Sequence, residues 1–272
     1  MKPILVVGNK NYSSWSLRPW LCLRWAGIVF DERVVRLDQP GYGRGKIAEI
    51  LAVAPSGKVP ALQLPDATLW DSLAIAEWAA EESRSVPLWP AERIQRGVAR
   101  AVTCEMHSGF AAMRRDLTMN IRRRVAAQDW APETWVDIER VIEIWSAHRA
   151  ANANRGSWLF GERSIADAFF TPVATRFRTY SVALPALAQS YCDTLCGQSH
   201  RQTRETGLHP GRRQPLRQLS LPVGTDCSHG VWSGRSRHLH AASRRRRVAY
   251  RGYGPLLHAQ WLERCALRPL RH

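Results

Sequence analysis

Ser56-Gly57-Lys58-Val59-Pro60-Ala61-Leu62-Gln63-Leu64-Pro65-Asp66-Ala67-Thr68-Leu69-Trp70-Asp71-Ser72-Leu73-Ala74-Ile75-Ala76-Glu77-Trp78 is the stretch on which the fold turns. Residues 61–64 and 68–70 are short strand-like runs joined by a turn at Pro65-Asp66, which predicts a hairpin. Asp71-Ser72 then offers side-chain oxygens to the unpaired N–H groups of a helix start. Leu73, Ile75, Ala76 and Ala79 continue that helix to about residue 82. Upstream, the apolar run 4–7 predicts a buried strand, and the polar segment NKNYSSWS at 9–16 a loop. A helix is expected over 17–26, stopped by Gly27, since glycine accepts the left-handed conformation after a last turn. Residues 33–37 read as a second strand with β-branched residues at its centre. A loop holding Gly41, Gly43 and Gly45 leads to a short helix over 46–53. The order is βαβ, then α, then ββα, a small α/β domain over 1–83.

Residues 83–90 contain two prolines and no helical period, and mark a break. From 92 to 195 the signals are helical, which predicts an all-α domain over 91–195. Ser164-Ile165-Ala166-Asp167, just before an apolar stretch, matches a capping box with Asp in place of Glu. The last 77 residues differ: they hold 15 Arg and 7 His but no Lys, Ile, Asn, Phe or Met. The formal charge of +16 therefore divides into +4 over 1–195 and +12 over 196–272. So little large apolar side chain cannot offset the entropy of ordering, which predicts a disordered or loosely packed basic tail. Its composition fits GC-rich DNA read out of frame, and the competing reading is a genuine arm for RNA or DNA. The lack of lysine speaks against the arm, so nucleic acid is not expected as a partner.

None of the six cysteines forms a CxxC pair, and no Cys/His group has zinc spacing, so no metal is expected. No apolar run reaches the roughly 20 residues of a membrane helix. The opening MKPILVVG is too short for a secretory core. A cytoplasmic protein with reduced thiols is the expectation.

Four segments together resemble glutathione S-transferases of the serine type, such as the zeta and theta classes. They are Ser13-Ser14-Trp15-Ser16, residues 56–62 (SGKVPAL), residues 71–78 (DSLAIAEW) and Ser164-Ile165-Ala166-Asp167. Each is short, but their order and spacing cover about 70% of the chain, residues 1–195. The resemblance implies a thioredoxin-like βαβαββα domain, then the family's all-helical C-terminal domain, glutathione as co-substrate, a small electrophile and a homodimer. It implies Ser13 as the hydroxyl that stabilises the glutathione thiolate, with Ser14 as the close alternative. It assigns Lys58, the Val59-Pro60 cis turn, Asp71 and Ser72 to glutathione binding. Two departures stand out: zeta enzymes have cysteine where Trp15 stands, and Glu or Gln where Asp71 stands. A glutathione-dependent isomerase of the maleylacetoacetate type and a non-catalytic protein-docking module are the alternatives.

The chemistry asked of the serine is modest. A free thiol with a pKa of about 8.5 is only about 3% thiolate at pH 7. Lowering that pKa by two units takes roughly 2.7 kcal/mol. A hydrogen bond to a charged group supplies about 1.5–3 kcal/mol, and a helix N-terminus about 0.3–1 kcal/mol more. A serine at the start of the first helix combines the two. Without the other segments, the same serines and Asp71-Ser72 would read as ordinary helix caps. Met106, Phe110 and Met113, spaced as one helical face, are the candidate co-substrate wall, with core packing as the plainer alternative. Arg114, Arg115 and the run 122–124 are candidates for drawing an anionic co-substrate, or else a solvated face. His107 reads as a surface or satisfied histidine.

Overall fold

The computed structural model describes residues 2–205, with side-chain surroundings through residue 197. Strand β1 (Ile4–Val7) lies at the centre of a four-stranded sheet. It runs parallel to β2 (Asp31–Val34) and antiparallel to β3 (Ala61–Gln63), which pairs antiparallel with β4 (Thr68–Trp70). Helices α1 (Ser14–Trp25), α2 (Ala48–Leu51) and α3 (Ser72–Glu82) complete the α/β half. The alternation of a strand decides which helix goes where. Leu5 and Val7 point into the main core with Leu17, Leu21, Ile75 and Ala76. Val6 points the other way, into a smaller cluster with Val35, Ile47, Ile50 and Ala61. Both faces of the sheet are thus covered, α1 and α3 on one side and α2 on the other.

Three sequence expectations shift. The second strand is Asp31–Val34, not 33–37, because its parallel partner ends at Val7. Past that point the Asn9 side chain replaces the strand, its Oδ1 accepting from the Leu37 N–H at 2.8 Å. Helix α1 starts three residues earlier than its apolar pattern, with Ser13 as N-cap. It ends as expected at Gly27, φ +71°, where the Ile28 N–H reaches back to the Leu23 carbonyl. The short helix covers only Ala48–Leu51 of the expected 46–53.

The second half holds α4 (Arg93–Ser108), α5 (Ala111–Asp116), α6 (Pro132–Ala151), α7 (Ile165–Thr179) and α8 (Ala186–Glu205). It is not helical throughout: residues 117–131 form no helix. Their backbone groups are satisfied from outside, as buried polar groups require. The Val125 N–H donates to Thr179 O, Ile121 N–H to Asn11 O, and Arg176 Nε to Leu117 O. Helix α7 is buried along nearly its whole length, and the predicted Ser164/Asp167 start is present. Asp167 accepts from Ser164 N (2.7 Å) and Ser164 Oγ (3.0 Å), and also from Leu159 N (3.0 Å) and Tyr191 Oη (2.7 Å). Burial pushes its carboxyl up, and these donors oppose that.

Helix α8 continues through residue 196, with Leu195 and Cys196 buried, so the change in composition there is not the end of an element. The expected loose packing of the remaining tail concerns residues outside the described ones. Among the described residues, no helix is long and apolar enough to cross a membrane.

Candidate active site

The sheet register gathers the candidate residues at one end. Val6 pairs with Ala61, and Ala61 with Trp70. The segment leaving β1 toward Ser13-Ser14, the Val59-Pro60 turn entering β3, and Asp71-Ser72 leaving β4 therefore emerge side by side. The Val59-Pro60 bond is cis, as the resemblance implied. Gly57 before it has φ +62°, and a Cβ there would run into the Gly45 carbonyl oxygen, so only glycine fits. Lys58 is exposed, Val59 half-buried and Pro60 buried.

Ser13 and Ser14 are both buried but have different partners. The Ser13 Oγ lies 2.8 Å from Ser16 Oγ and accepts weakly from Ser16 N–H at 3.4 Å. Ser16 Oγ in turn accepts from Gly8 N–H at 3.0 Å. Ser14 faces the helical half, and its Oγ accepts from the Arg176 guanidinium at 3.2 Å.

Asp71 caps α3, with Oδ1 accepting from Leu73 N–H (2.7 Å) and Ala74 N–H (3.4 Å). Its backbone has φ +80°, a left-handed conformation uncommon outside glycine. Its Oδ2 lies 3.3 Å from His107 Nε2. Partial burial opposes its ionisation, but the hydrogen bonds from His107 and the Leu73 N–H outweigh that and hold the carboxyl below its ordinary value. Beside it, the Ser72 hydroxyl is fully buried and has no hydrogen-bond partner.

Sequence reading missed an arginine cluster where the two halves meet. Arg18 is fully buried, with its guanidinium 4.5 Å from the Trp15 ring centroid and 4.9 Å from that of Phe169. None of its three nitrogens has a hydrogen-bond partner. Arg114 approaches Trp15 at 4.9 Å, and Arg176 lies buried against Leu117 and Ser14. Burial and the charges of Arg114 and Arg176 pull the Arg18 guanidinium down, while Asp71 pushes it up. Burial and Arg114 bring Arg176 down to about 9. Arginine gives up its proton with great difficulty, so the cost falls on the stability of the cluster. The available signal was an arginine inside otherwise apolar helices, SWSLRPWL around Arg18 and PVATRF around Arg176.

The hydrophobic wall is corrected. Met106 ends in α4, the chain turns at Gly109, and Phe110 (φ +63°) precedes α5, which carries Met113. The three do not share one helical face, and all are buried in the core. Of the predicted anion-drawing residues, Arg114 joins the cluster. Arg115 instead pairs with Asp116 and Glu133, and residues 122–124 are exposed. His107, read as a bystander, sits edge-on to Trp15 at 5.4 Å and against Phe169 at 5.9 Å. Among the described residues no group of His, Cys, Asp or Glu could hold a metal ion.

A thioredoxin-like sheet with capped helices at one end, backed by a helical half, defines a two-part protein of the thioredoxin-like superfold. Residues 12–82 match the glutathione S-transferase N-terminal domain family. The chain is similar to maleylpyruvate isomerase of a Ralstonia species, 26% identical over 70% of this chain and 92% of the relative. It is also similar to maleylacetoacetate isomerase of Pseudomonas aeruginosa, 28% identical over 65% and 82%. Its fold is that of a Burkholderia glutathione transferase homologue solved with bound glutathione (TM-score 0.54, 21% identity, 75% and 99% covered). It is equally that of holo maleylpyruvate isomerase, a zeta-class bacterial enzyme (TM-score 0.55, 22% identity, 74% and 95% covered). The N-terminal segment 12–82 thus carries the glutathione S-transferase domain signature, and the likeness to these proteins extends over about two thirds of the chain.

Proposed function

We propose that this protein is a glutathione transferase. It holds glutathione at the sheet end and ionises the thiol against Ser13, or its neighbour Ser14, for attack on a small electrophile. The observation that carries the reading is the Ser72 hydroxyl, fully buried and unpartnered at the start of α3. Such a group costs about 1–3 kcal/mol. The γ-glutamyl carboxylate, at a helix N-terminus that favours anions, removes that cost. Asp71 beside it takes the ammonium of the same group. Val59 and Lys58 are assigned by resemblance to the cysteinyl backbone and a carboxylate. The enzyme's contribution is orientation and a stabilised thiolate. On the same resemblance the active form is a cytoplasmic homodimer. Titration with glutathione, followed by the fluorescence of the twelve tryptophans, tests it. A saturable change is expected; a flat titration, matched by silent calorimetry, defeats the reading.

A second reading, a glutathione-dependent isomerase of unsaturated acids, is favoured by one observation, the cluster of buried Arg18 and Arg176 with half-buried Arg114 beside Ser14. A carboxylate would supply the partners that the Arg18 nitrogens lack. Trp15, in place of the zeta cysteine, is why the isomerase stands second. A matched pair of electrophiles, 1-chloro-2,4-dinitrobenzene and 4-chloro-3,5-dinitrobenzoate, separates the two. If the cluster receives acids, Arg18→Met lowers kcat/KM for the carboxylate at least about tenfold more than for the neutral ring, as loss of roughly 1.4 kcal/mol of differential binding requires. Equal losses leave the plain transferase.

A further inference from the structure

His107 reaches the glutathione end of the sheet from the other half of the molecule. It lies in the last turn of α4, yet its Nε2 is 3.3 Å from Asp71 Oδ2 at the start of α3. Several elements hold the ring. Trp15 of α1 meets it edge-on at 5.4 Å, and Phe169 of α7 stands at 5.9 Å. The Arg114 guanidinium donates to the His107 carbonyl at 3.2 Å. Its Nδ1 is buried without a partner, so Asp71 is the polar group to which the imidazole is committed.

Asp71 needs such a partner. Its side chain is one methylene shorter than the Glu or Gln usual at this position, and it is about half exposed. A carboxylate offers about four acceptor sites on two oxygens. Oδ1 is spent on the cap of α3. Only Oδ2 is left to face a ligand, and with Oδ1 capped, its remaining freedom is rotation and tilt of the carboxylate about that anchor. A donor on one side of Oδ2 removes that freedom and leaves its other lone pair in a fixed direction.

We propose that His107 is a positioning residue that fixes the Asp71 carboxylate for the γ-glutamyl ammonium of glutathione, so that the helical half takes part in recognising the peptide. This rests on Asp71 being part of the glutathione site. His107→Phe keeps a ring between Trp15 and Phe169 and removes the donor, whereas His107→Gln keeps a donor near the Nε2 position. Binding is measured by calorimetry for glutathione and for its deamino analogue, in which hydrogen replaces the γ-glutamyl amino group. His107→Phe should weaken glutathione about five- to twentyfold while changing the analogue less than twofold, and His107→Gln should restore most of the loss. In turnover, the Phe variant should raise KM for glutathione with kcat nearly constant. Glutathione affinity equal to the parent's, or equal losses for both ligands, overturns the proposal, because a structural role would not sense the amino group. A parent that binds both ligands equally overturns it as well. A parent that binds neither overturns the transferase reading beneath it.

Discussion

Ser13 and Ser14 are adjacent at the start of α1, and the difference in their partners gives each a separate test. Ser13 Oγ accepts from the Ser16 N–H and shares a hydrogen bond with the Ser16 hydroxyl; with Ser16 as donor in that pair, the Ser13 proton is free to turn outward. Replacing it by alanine should lower turnover of an aryl halide roughly ten- to a hundredfold, the loss expected from about 1.4–2.8 kcal/mol of thiolate stabilisation. The pH–rate profile should move toward alkali, because the thiol then ionises less readily. A larger effect from Ser14→Ala would transfer the role to the hydroxyl facing Arg176. Ser72 makes a different prediction, because its hydroxyl is buried and unpartnered. Ser72→Ala should weaken glutathione binding by at least about 1 kcal/mol through loss of a charge-assisted bond. Without ligand it should melt no lower than the parent, since removing an unsatisfied buried group costs little. A lower melting point with unchanged affinity would make Ser72 structural. The four segments marked these serines as candidates in the sequence. His107 was not readable: its partner is 36 positions away, and only the packing of α4 on α3 and α7 brings the ring to Asp71.

Among the elements, α7 shows how a local signal can carry a distant meaning. Ser164 and Asp167 were legible as a helix start because the cap is made within four residues. That Asp167 also accepts from Leu159 N–H and Tyr191 Oη, and so ties α7 to the preceding bend and to α8, was not. Removing a fully buried carboxylate that serves four donors strands those donors in the core. Asp167→Ala should therefore cost about 3–5 kcal/mol in a denaturant titration. A cost below about 1 kcal/mol would mean that water or neighbouring groups replace the carboxylate. The Met106, Phe110 and Met113 stripe failed for the complementary reason. Periodicity assumes one continuous helix, and Phe110 at φ +63° interrupts it. The second strand slipped because its register is set by β1 and by the Asn9 side chain, which no local pattern encodes.

At the scale of the molecule, the break at residues 83–90 separates sheet from helices in sequence but not in packing. Ten of the twelve residues of α1 are buried, more than one amphipathic face can account for. The reason is that α1 packs against both α3 and α7 and shares a hydrophobic cluster with Leu5 and Val7 of β1. Leu5, Leu17, Ile75, Met106, Phe169 and Phe177 accordingly belong to one hydrophobic cluster. Polar ties cross the same boundary: Asn11 to Asn120, Ser14 to Arg176 and Asp71 to His107. Removing the helical half would strip Trp25 of Trp158 and the buried Arg18 of Phe169, uncovering apolar surface at about 25 cal/mol for each Å². Neither half should then be stable alone. Residues 1–90 expressed by themselves should be largely insoluble or unfolded. The full chain should show one calorimetric transition whose van't Hoff and calorimetric enthalpies agree over these two halves. Saturating glutathione should raise that single midpoint rather than stabilise an early or late phase, because ligand held by the sheet end stabilises everything packed with it. Two resolved transitions, with glutathione shifting only one, would show that the halves fold independently and that the arginine cluster between them forms without holding them together.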